Sequence, residues 1–413
     1  MISDYTNLRD HPDVDLRVAF DADPSLPGLD DPYSVYADLR AESSVHWCSG
    51  PQMWAVLGYQ DAAAMMHDKT LARQPERDRL AEIYGNSDIY TRQKLDLPYM
   101  DGERHRVMRR HVMNAYNAID FESLRVFLRQ FADERLASVQ DQDSFDLVSV
   151  LSADLPVYVV SQLIGVPASE QAQAAEVVGE FVAARGLVQT EDIASGGDSA
   201  VSVFEDFFLP LIHERRARPQ DDLTSRLIAD PVDGMTMSDE QMLLLLSSNF
   251  YAASMFTIRL FVATMAMAMA RFPDVYRQVR TDPTLIPTAV EEVLRWDPPA
   301  QAVNSSMAMV DLQFGDITVP AGDALTVMVG AANRDPAQFP DPDAVRLDRQ
   351  PNRHLSFAPG VHACLGLHLA RMEGAVALEA MTHHLPEFGY DADASVRFVG
   401  DRFRGFDSLI IQR

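Results

Sequence analysis

The chain has only two cysteines in 413 residues, Cys48 and Cys364, which excludes a disulfide framework and fits a reducing compartment. It is also short of positive charge: 35 Lys and Arg stand against 61 Asp and Glu, a formal net charge of -26. Binding to phosphate rests on cationic side chains, so nucleic acid and anionic membranes are excluded as partners. The first residues, Met1 to Tyr5, lack the basic and apolar regions of a secretory signal, so a cytoplasmic location without a membrane anchor is expected. There is no internal repeat, low-complexity tract or Ser/Gly linker, and residues 1–413 are expected to form a single domain. Long hydrophobic runs are equally scarce. Met242 to Ala270 alone exceeds the roughly 18 residues a membrane span needs. Arg259, Asn249 and three serines interrupt it, and Ser238 with Gln241 forms a capping box ahead of it, so it reads as a long core helix.

Apolar residues make up 47% of the chain, ample for a large core. Helical spacing dominates the first two-thirds, beginning with a short helix opened by Asp31-Pro32 and followed by a strand pair, Val45 to Trp47 with Trp54 to Leu57, around Gly50-Pro51. Further helices are expected at 102–117, 122–139, 145–164, 168–186, 199–217, 238–271, 273–280 and 284–296. Short β-prone stretches return at Leu312 to Phe314, Ile317 to Val319 and Ala324 to Val329; a last helix starts near Leu365, and a strand closes the chain at Phe406 to Ile411. Residues 75–100 and 185–197 have weak periodicity and read as binding loops. The expected fold class is mainly α, a large helical domain with a smaller β-rich part.

Cys364 stands in a Gly/Pro-rich loop, Phe357-Ala358-Pro359-Gly360-Val361-His362-Ala363-Cys364-Leu365-Gly366, just ahead of the last helix. A thiolate near neutral pH needs backbone N–H groups, a helix N-terminus or a metal to stabilise it, and this loop has the means to offer all three. From the cysteine alone, a metal ligand and a buried inert thiol are equal readings. Zinc is a poor fit: His362, Cys364 and His368 cluster, but there is no second nearby cysteine and no finger spacing. Cys48 reads as a packing residue.

The motif Phe-x-x-Gly-x-His-x-Cys-x-Gly, present as Phe357, Gly360, His362, Cys364 and Gly366 and followed by Leu369-Ala370-Arg371, resembles the signature of bacterial soluble cytochromes P-450. Two further segments agree: Glu292-Val293-Leu294-Arg295, with Arg349 as third member of the family's Glu-Arg-Arg cluster, and Ala331-Ala332-Asn333-Arg334-Asp335-Pro336. Spacing of three puts Glu292 and Arg295 on one helix face, where they can pair. The resemblance covers nearly the whole chain and implies the cytochrome P-450 fold, haem b (iron protoporphyrin IX), and Cys364 as ligand to the iron. It also implies cofactor contacts from Phe357 and Gly366, and propionate contacts from His105, Arg109 and His362. A third cationic position of the family, on the strand before Leu312, holds Ser306 here, which predicts weaker or rearranged anchoring of one propionate.

On the long helix, Ala253-Ser254-Met255-Phe256-Thr257 occupies the place where the family has Ala/Gly-Gly-x-Asp/Glu-Thr. There the acid and the threonine relay protons to bound dioxygen; Phe256 cannot carry one. Thr257 keeps a hydroxyl that can bond the Ala253 carbonyl and open a local groove. The resemblance thus implies a monooxygenase taking electrons from NAD(P)H through a reductase and an iron–sulfur ferredoxin, acting as a monomer. Hydroxylation, demethylation or epoxidation of a small to medium hydrophobic substrate is expected. Phe256 opens an alternative, atypical coupling, ring-forming or peroxide-driven chemistry, and a non-catalytic haem sensor is a third reading. Val303, Asn304 and Phe256 are expected to wall the substrate pocket, together with 75–100 and 170–197. Arg104, Arg106, Arg109 and Arg110 form a basic patch suited to an acidic ferredoxin, or serve only as ordinary surface arginines.

Overall fold

The computed structural model describes residues 31–413, apart from 49–50, 86, 167–169, 188, 230, 232–235 and 401 and the side chains of 304 and 399. The readings placed on Met1 to Tyr5, on Gly50 and on the side chain of Asn304 lie outside the described residues. Ten helices carry the body: α1 (Tyr33–Glu42), α2 (Gln74–Ile83), α3 (Asp88–Gln93), α4 (Gly102–Asn117), α5 (Phe121–Ala137), α6 (Asp154–Ile164), α7 (Glu191–Ala217), α8 (Ala253–Arg271), α9 (Ile286–Trp296) and α10 (Leu367–His384). Shorter helical pieces connect them.

The apolar run forms Asp239–Leu244, a π-helical stretch Leu245–Ala252 and then α8, continuous over Asp239–Arg271. Ser238 and Gln241 make the expected capping box at its start. A helix that is apolar all round must be covered all round. Its most apolar window is 78% buried inside the protein, with α6, α10 and the last hairpin packed on it. Gly374 lets α10 come close, since a Cβ there would stand 2.6 Å from the Phe261 ring.

Strands β1 (Val45–Cys48), β2 (Met53–Val56), β3 (Leu71–Ala72), β5 (Ala302–Ala308) and β8 (Ala324–Met328) form one sheet in the order β1-β2-β8-β5-β3. Strand β4 (Ser144–Asp146) joins β10 (Arg404–Gln412) and β9 (Gly389–Val399), while β6 (Leu312–Phe314) and β7 (Ile317–Val319) pair alone. Cys48 is buried, its thiol near the His46 carbonyl, as its packing reading requires.

Three expectations are corrected. Residues 75–100 are mostly helical, not loop: the polar residues that hid the periodicity are themselves buried, Arg77 pairing with Glu76 and donating to Gln93 Oε1 at 3.1 Å. Helix α7 starts at Glu191 rather than 199, because Thr190 Oγ1 caps it by accepting the Ile193 N–H at 3.2 Å. Gly197 then packs where a Cβ would meet the Ala184 side chain at 2.6 Å, so tertiary contact outweighs the poor helix propensity of Gly196-Gly197. Residues 145–164 divide into β4, a π-helical turn Val148–Ser152 and α6, and β9 supplies a partner strand for the chain end.

One buried carboxylate ties α9 to the chain that leads to the Cys364 loop. Glu292 accepts a bidentate pair from Arg295 at 2.8 Å, the Arg349 Nε at 3.0 Å, the Asn352 amide at 3.1 Å and the Arg346 N–H at 2.9 Å. Arg295 spends its remaining donors on the carbonyls of Asn333, Pro342 and Ala344, and Arg349 on those of Pro340 and Asp341. Glu292 and Arg295 are fully buried, so this is a core network and not a surface ion pair. Glu292→Ala leaves two guanidinium groups uncompensated in the interior. Its cost is expected to be about 3–5 kcal/mol, read as a lowered urea midpoint with an unchanged slope.

Candidate functional site

The Cys364 loop folds back on itself through two backbone bonds, Cys364 N–H to the Phe357 carbonyl at 2.9 Å and Ala363 N–H to that of Gly360 at 3.1 Å. Gly360 has φ 114°, and any Cβ there would collide with the Met66 carbonyl oxygen, so only glycine fits. Gly366 is the residue before α10; nothing lies within 4 Å of where its Cβ would stand, and it lines the cavity.

The sulfur of Cys364 is deep in the protein yet exposed, because it opens on an internal cavity rather than on bulk water. Two lobes of this cavity share Cys364, His362, Thr257, Ile258, Arg73 and Arg402 in their walls. Burial pushes the Cys364 thiol up, against the pull of the Gly366 N–H and of the Arg109 and Arg371 charges. The thiol therefore stays protonated unless a metal takes the proton's place. His368 is placed elsewhere, on a surface groove with Arg125 and Arg371.

Helix α4 brings His105 and Arg109 to the same cavity, and Arg109 Nη2 donates to the Ala363 carbonyl at 2.6 Å. The His105 and His362 rings meet at a tilt of 40° with centroids 4.1 Å apart. Burial, then Arg109 and Arg73, lower His105 to about 4; burial, then Arg73, His105 and Arg109, lower His362 to about 2. The Nε2 of His105 is buried without a hydrogen-bond partner. A cavity wall with an orphaned imidazole nitrogen and crowded cations is built for an acceptor carrying negative charge. The one carboxyl in this wall, Glu373, is buried without partners and its pKa is raised well above the carboxylate range, so it adds no negative charge.

Across the cavity, Thr257 lines both lobes, and its hydroxyl donates to the Ala253 carbonyl at 2.7 Å. Ala253 and Ser254 share the wall, and Ser254 Oγ is buried without a partner. Phe256 is not among the lining residues: its ring packs edge-on against Phe398 and Phe403, at 5.2 and 5.1 Å, in the β9–β10 hairpin. Val303 lines the second lobe with Ser305. Above Thr257, buried Asp96 accepts from Arg185, Ser248 and Asn249 at 2.6, 2.6 and 2.7 Å, and Arg185, Ser248 and Asn249 also line the cavity. This pins the segment after α3 and the segment before α7 to the π-helical stretch.

Sequence reasoning missed Arg73, Arg402 and Glu373 as wall residues, while Tyr99 falls in the expected stretch 75–100. Glu373 had a readable signal, a carboxylate on the apolar face of the helix that follows the cysteine. Arg73 and Arg402 had none, because they depend on strand pairing. On α4, Arg104, Arg106 and Arg110 are exposed as expected, with Arg106 paired to Glu103, while Arg109 turns inward.

A flat cofactor with two carboxylates fits these residues: a thiol on one wall, room over Gly366, and cations with an unpaired imidazole at one side. Such a cavity belongs to a haem-thiolate protein. The chain matches the Cytochrome P450 family over residues 190–386. It is 34% identical to the mycinamicin IV hydroxylase/epoxidase of Micromonospora griseorubida, over 86% of this chain and 87% of that one. It is 31% identical to the 6-deoxyerythronolide B hydroxylase of Saccharopolyspora erythraea, over 92% and 95%. Among solved structures it resembles P450BioI in complex with an acyl carrier protein ligated by hexadec-9Z-enoic acid, with TM-score 0.84, 27% identity and coverage of 93% and 99%. The chain belongs to the cytochrome P450 family. It is a P450 monooxygenase with haem b as cofactor, so the sensor reading falls away.

Arg371 of α10 locks the loop to α9: it pairs with Glu291 at 2.6 and 2.9 Å and lies 4.5 Å from the Phe357 ring centroid. Burial would raise Glu291, but the Arg371 and His354 hydrogen bonds prevail and hold its carboxyl at about 2, below the ordinary 4.5. A depressed folded-state pKa gives stability that is complete above the ordinary value and lost as pH falls toward the folded one. Between pH 4.5 and about 2 the wild type should therefore lose stability more steeply than Glu291→Gln, as read from urea midpoints at each pH.

Proposed function

We propose that Cys364 would hold the haem iron through its thiolate, that His105, Arg109 and His362 would receive the propionates, and that Phe357 and Gly366 would contact the ring. The observation that carries this is the placing of the Cys364 sulfur and the Thr257 hydroxyl in the walls of the same two lobes. When bound, haem b activates dioxygen with two electrons and two protons, so that one oxygen atom enters the substrate and the other leaves as water.

The chain's own residues prepare that reaction. The Gly366 N–H and the Arg109 and Arg371 charges stabilise negative charge on the sulfur. The Thr257 hydroxyl donates its hydrogen bond to the Ala253 carbonyl, which leaves its oxygen lone pairs free to hold a water that carries protons to the oxygen side. The apolar wall, with Ile258, Phe181 and Val303, excludes bulk water and receives a small to medium hydrophobic substrate. Hydroxylation or epoxidation accords with the activities in the names of the two relatives. Electrons come from NAD(P)H through a reductase and an iron–sulfur ferredoxin that docks on Arg104, Arg106 and Arg110; the enzyme works as a cytoplasmic monomer.

A second reading, coupling or ring formation or peroxide-driven oxidation, is favoured by one observation. The Phe256 ring is sealed between Phe398 and Phe403, so position 256 offers the cavity no carboxyl. Peroxide-driven turnover that matches ferredoxin-driven turnover would favour this second reading.

The axial assignment is tested on reduced, carbon-monoxide-treated protein. Wild type should give the Soret band of thiolate-ligated haem. Cys364→Ser should retain haem and lose that band, and a wild-type band in the variant would overturn the assignment. Docking is tested separately: Arg106→Glu with Arg110→Glu should slow ferredoxin-driven haem reduction by about tenfold or more at low salt, with reduction by dithionite unchanged.

A further inference from the structure

The sheet places an arginine where Ser306 leaves a cation missing. Strands β3 and β5 are antiparallel with Leu71 opposite Ala308 and Ala72 opposite Met307. Arg73 and Ser306 are the next residues of the two strands' chains beyond the last pair, past the end of β3. Arg73 is also the residue at which β3 gives way to α2, so its side chain leaves the sheet at the edge of the cavity and lines both lobes beside His362 and Cys364.

Its surroundings hold it there. Asp101 Oδ2 accepts the N–H of Arg73 at 2.9 Å and that of Gln74 at 2.8 Å, and Arg73 Nη1 donates to the Pro98 carbonyl at 2.9 Å. Burial lowers Arg73 to about 10, which still leaves it charged at neutral pH. Tyr99 and Asp101 favour the charged form but burial prevails, so a further negative charge beside Arg73 is stabilising. Arg73, His105 and His362 line the same lobe, where the two histidine ring centroids lie 4.1 Å apart. Arg402 is the competing candidate on the cavity wall. Its guanidinium is already spent on the carbonyls of Arg185 and Ala302.

We propose that Arg73 supplies, from the neighbouring strand, the guanidinium that secures the haem carboxylate for which position 306 offers only a serine. The exchange keeps the cation count at this edge of the cavity while moving its origin from β5 to the β3–α2 junction. It rests on haem b as cofactor, and not on the proposed substrate or electron donor.

The test compares purified holoenzymes without substrate, measuring haem loss to excess apomyoglobin. Arg73→Ala should lose haem at least about tenfold faster than wild type, the scale of one lost charge-assisted hydrogen bond. Ser306→Arg added to Arg73→Ala should restore most of the retention. Reconstitution with haem dimethyl ester, which has no carboxylates, should abolish the difference between wild type and Arg73→Ala. Wild-type retention in Arg73→Ala would overturn the proposal, even if that variant bound fatty acids more weakly, since Arg73 would then serve a substrate carboxylate. Faster loss that persists with the diester and is not slowed by Ser306→Arg would also overturn it, marking Arg73 as a support of the Pro98 segment alone.

Discussion

A carboxylate with no exposure to water, Glu292, is the point from which the cavity is set. It accepts hydrogen bonds from two arginines, an asparagine and a backbone amide, and the arginines pass their other donors to five carbonyls between Asn333 and Ala344. Those residues form an irregular chain that could not otherwise satisfy its own backbone inside the protein. Asn333 then carries the order forward, accepting the Leu355 N–H at 2.7 Å and donating to Ser356, whose hydroxyl reaches the Leu294 carbonyl. The cysteine loop begins at the next residue. A buried ion pair is a poor source of net stability, but it holds a unique arrangement well, and here that arrangement aims a sulfur.

The second constraint is electrostatic. The chain is acidic overall, yet the cavity gathers Arg73, Arg109, Arg402, His105 and His362, and its one acid is kept neutral by burial. The excess negative charge lies elsewhere, chiefly on exposed residues. The arginines of the cavity repel one another and an anionic cofactor offsets that repulsion, so cofactor binding and folding stability are coupled.

What could be read from the sequence divides along physical lines. The Cys364 loop was legible because its function needs residue types with few substitutes: a sulfur, a glycine at φ 114° and a glycine where the cavity begins. Glu292 and Arg295 were legible because a helix brings them together by spacing alone. Arg349 needed the resemblance, since 54 residues separate it from Arg295 and no periodicity links them. The helices at 74–83 and 88–93 were hidden because their inward face carries Glu76, Arg77 and Gln93, which look like solvent-facing residues until their pairing is seen. Arg73 was hidden more deeply: its place depends on a two-residue strand whose register no local pattern reveals.

The packing of Phe256 bears on how this chain could change. Its ring is held edge-on by Phe398 and Phe403, from the two sides of the hairpin that closes the fold against the oxygen-side helix. Returning the family's acid to that position would put a carboxylate among aromatic rings and loosen the hairpin at once. The three rings therefore act as one unit: a polar side chain at any one of the positions deprives the other two of their edge-on partner.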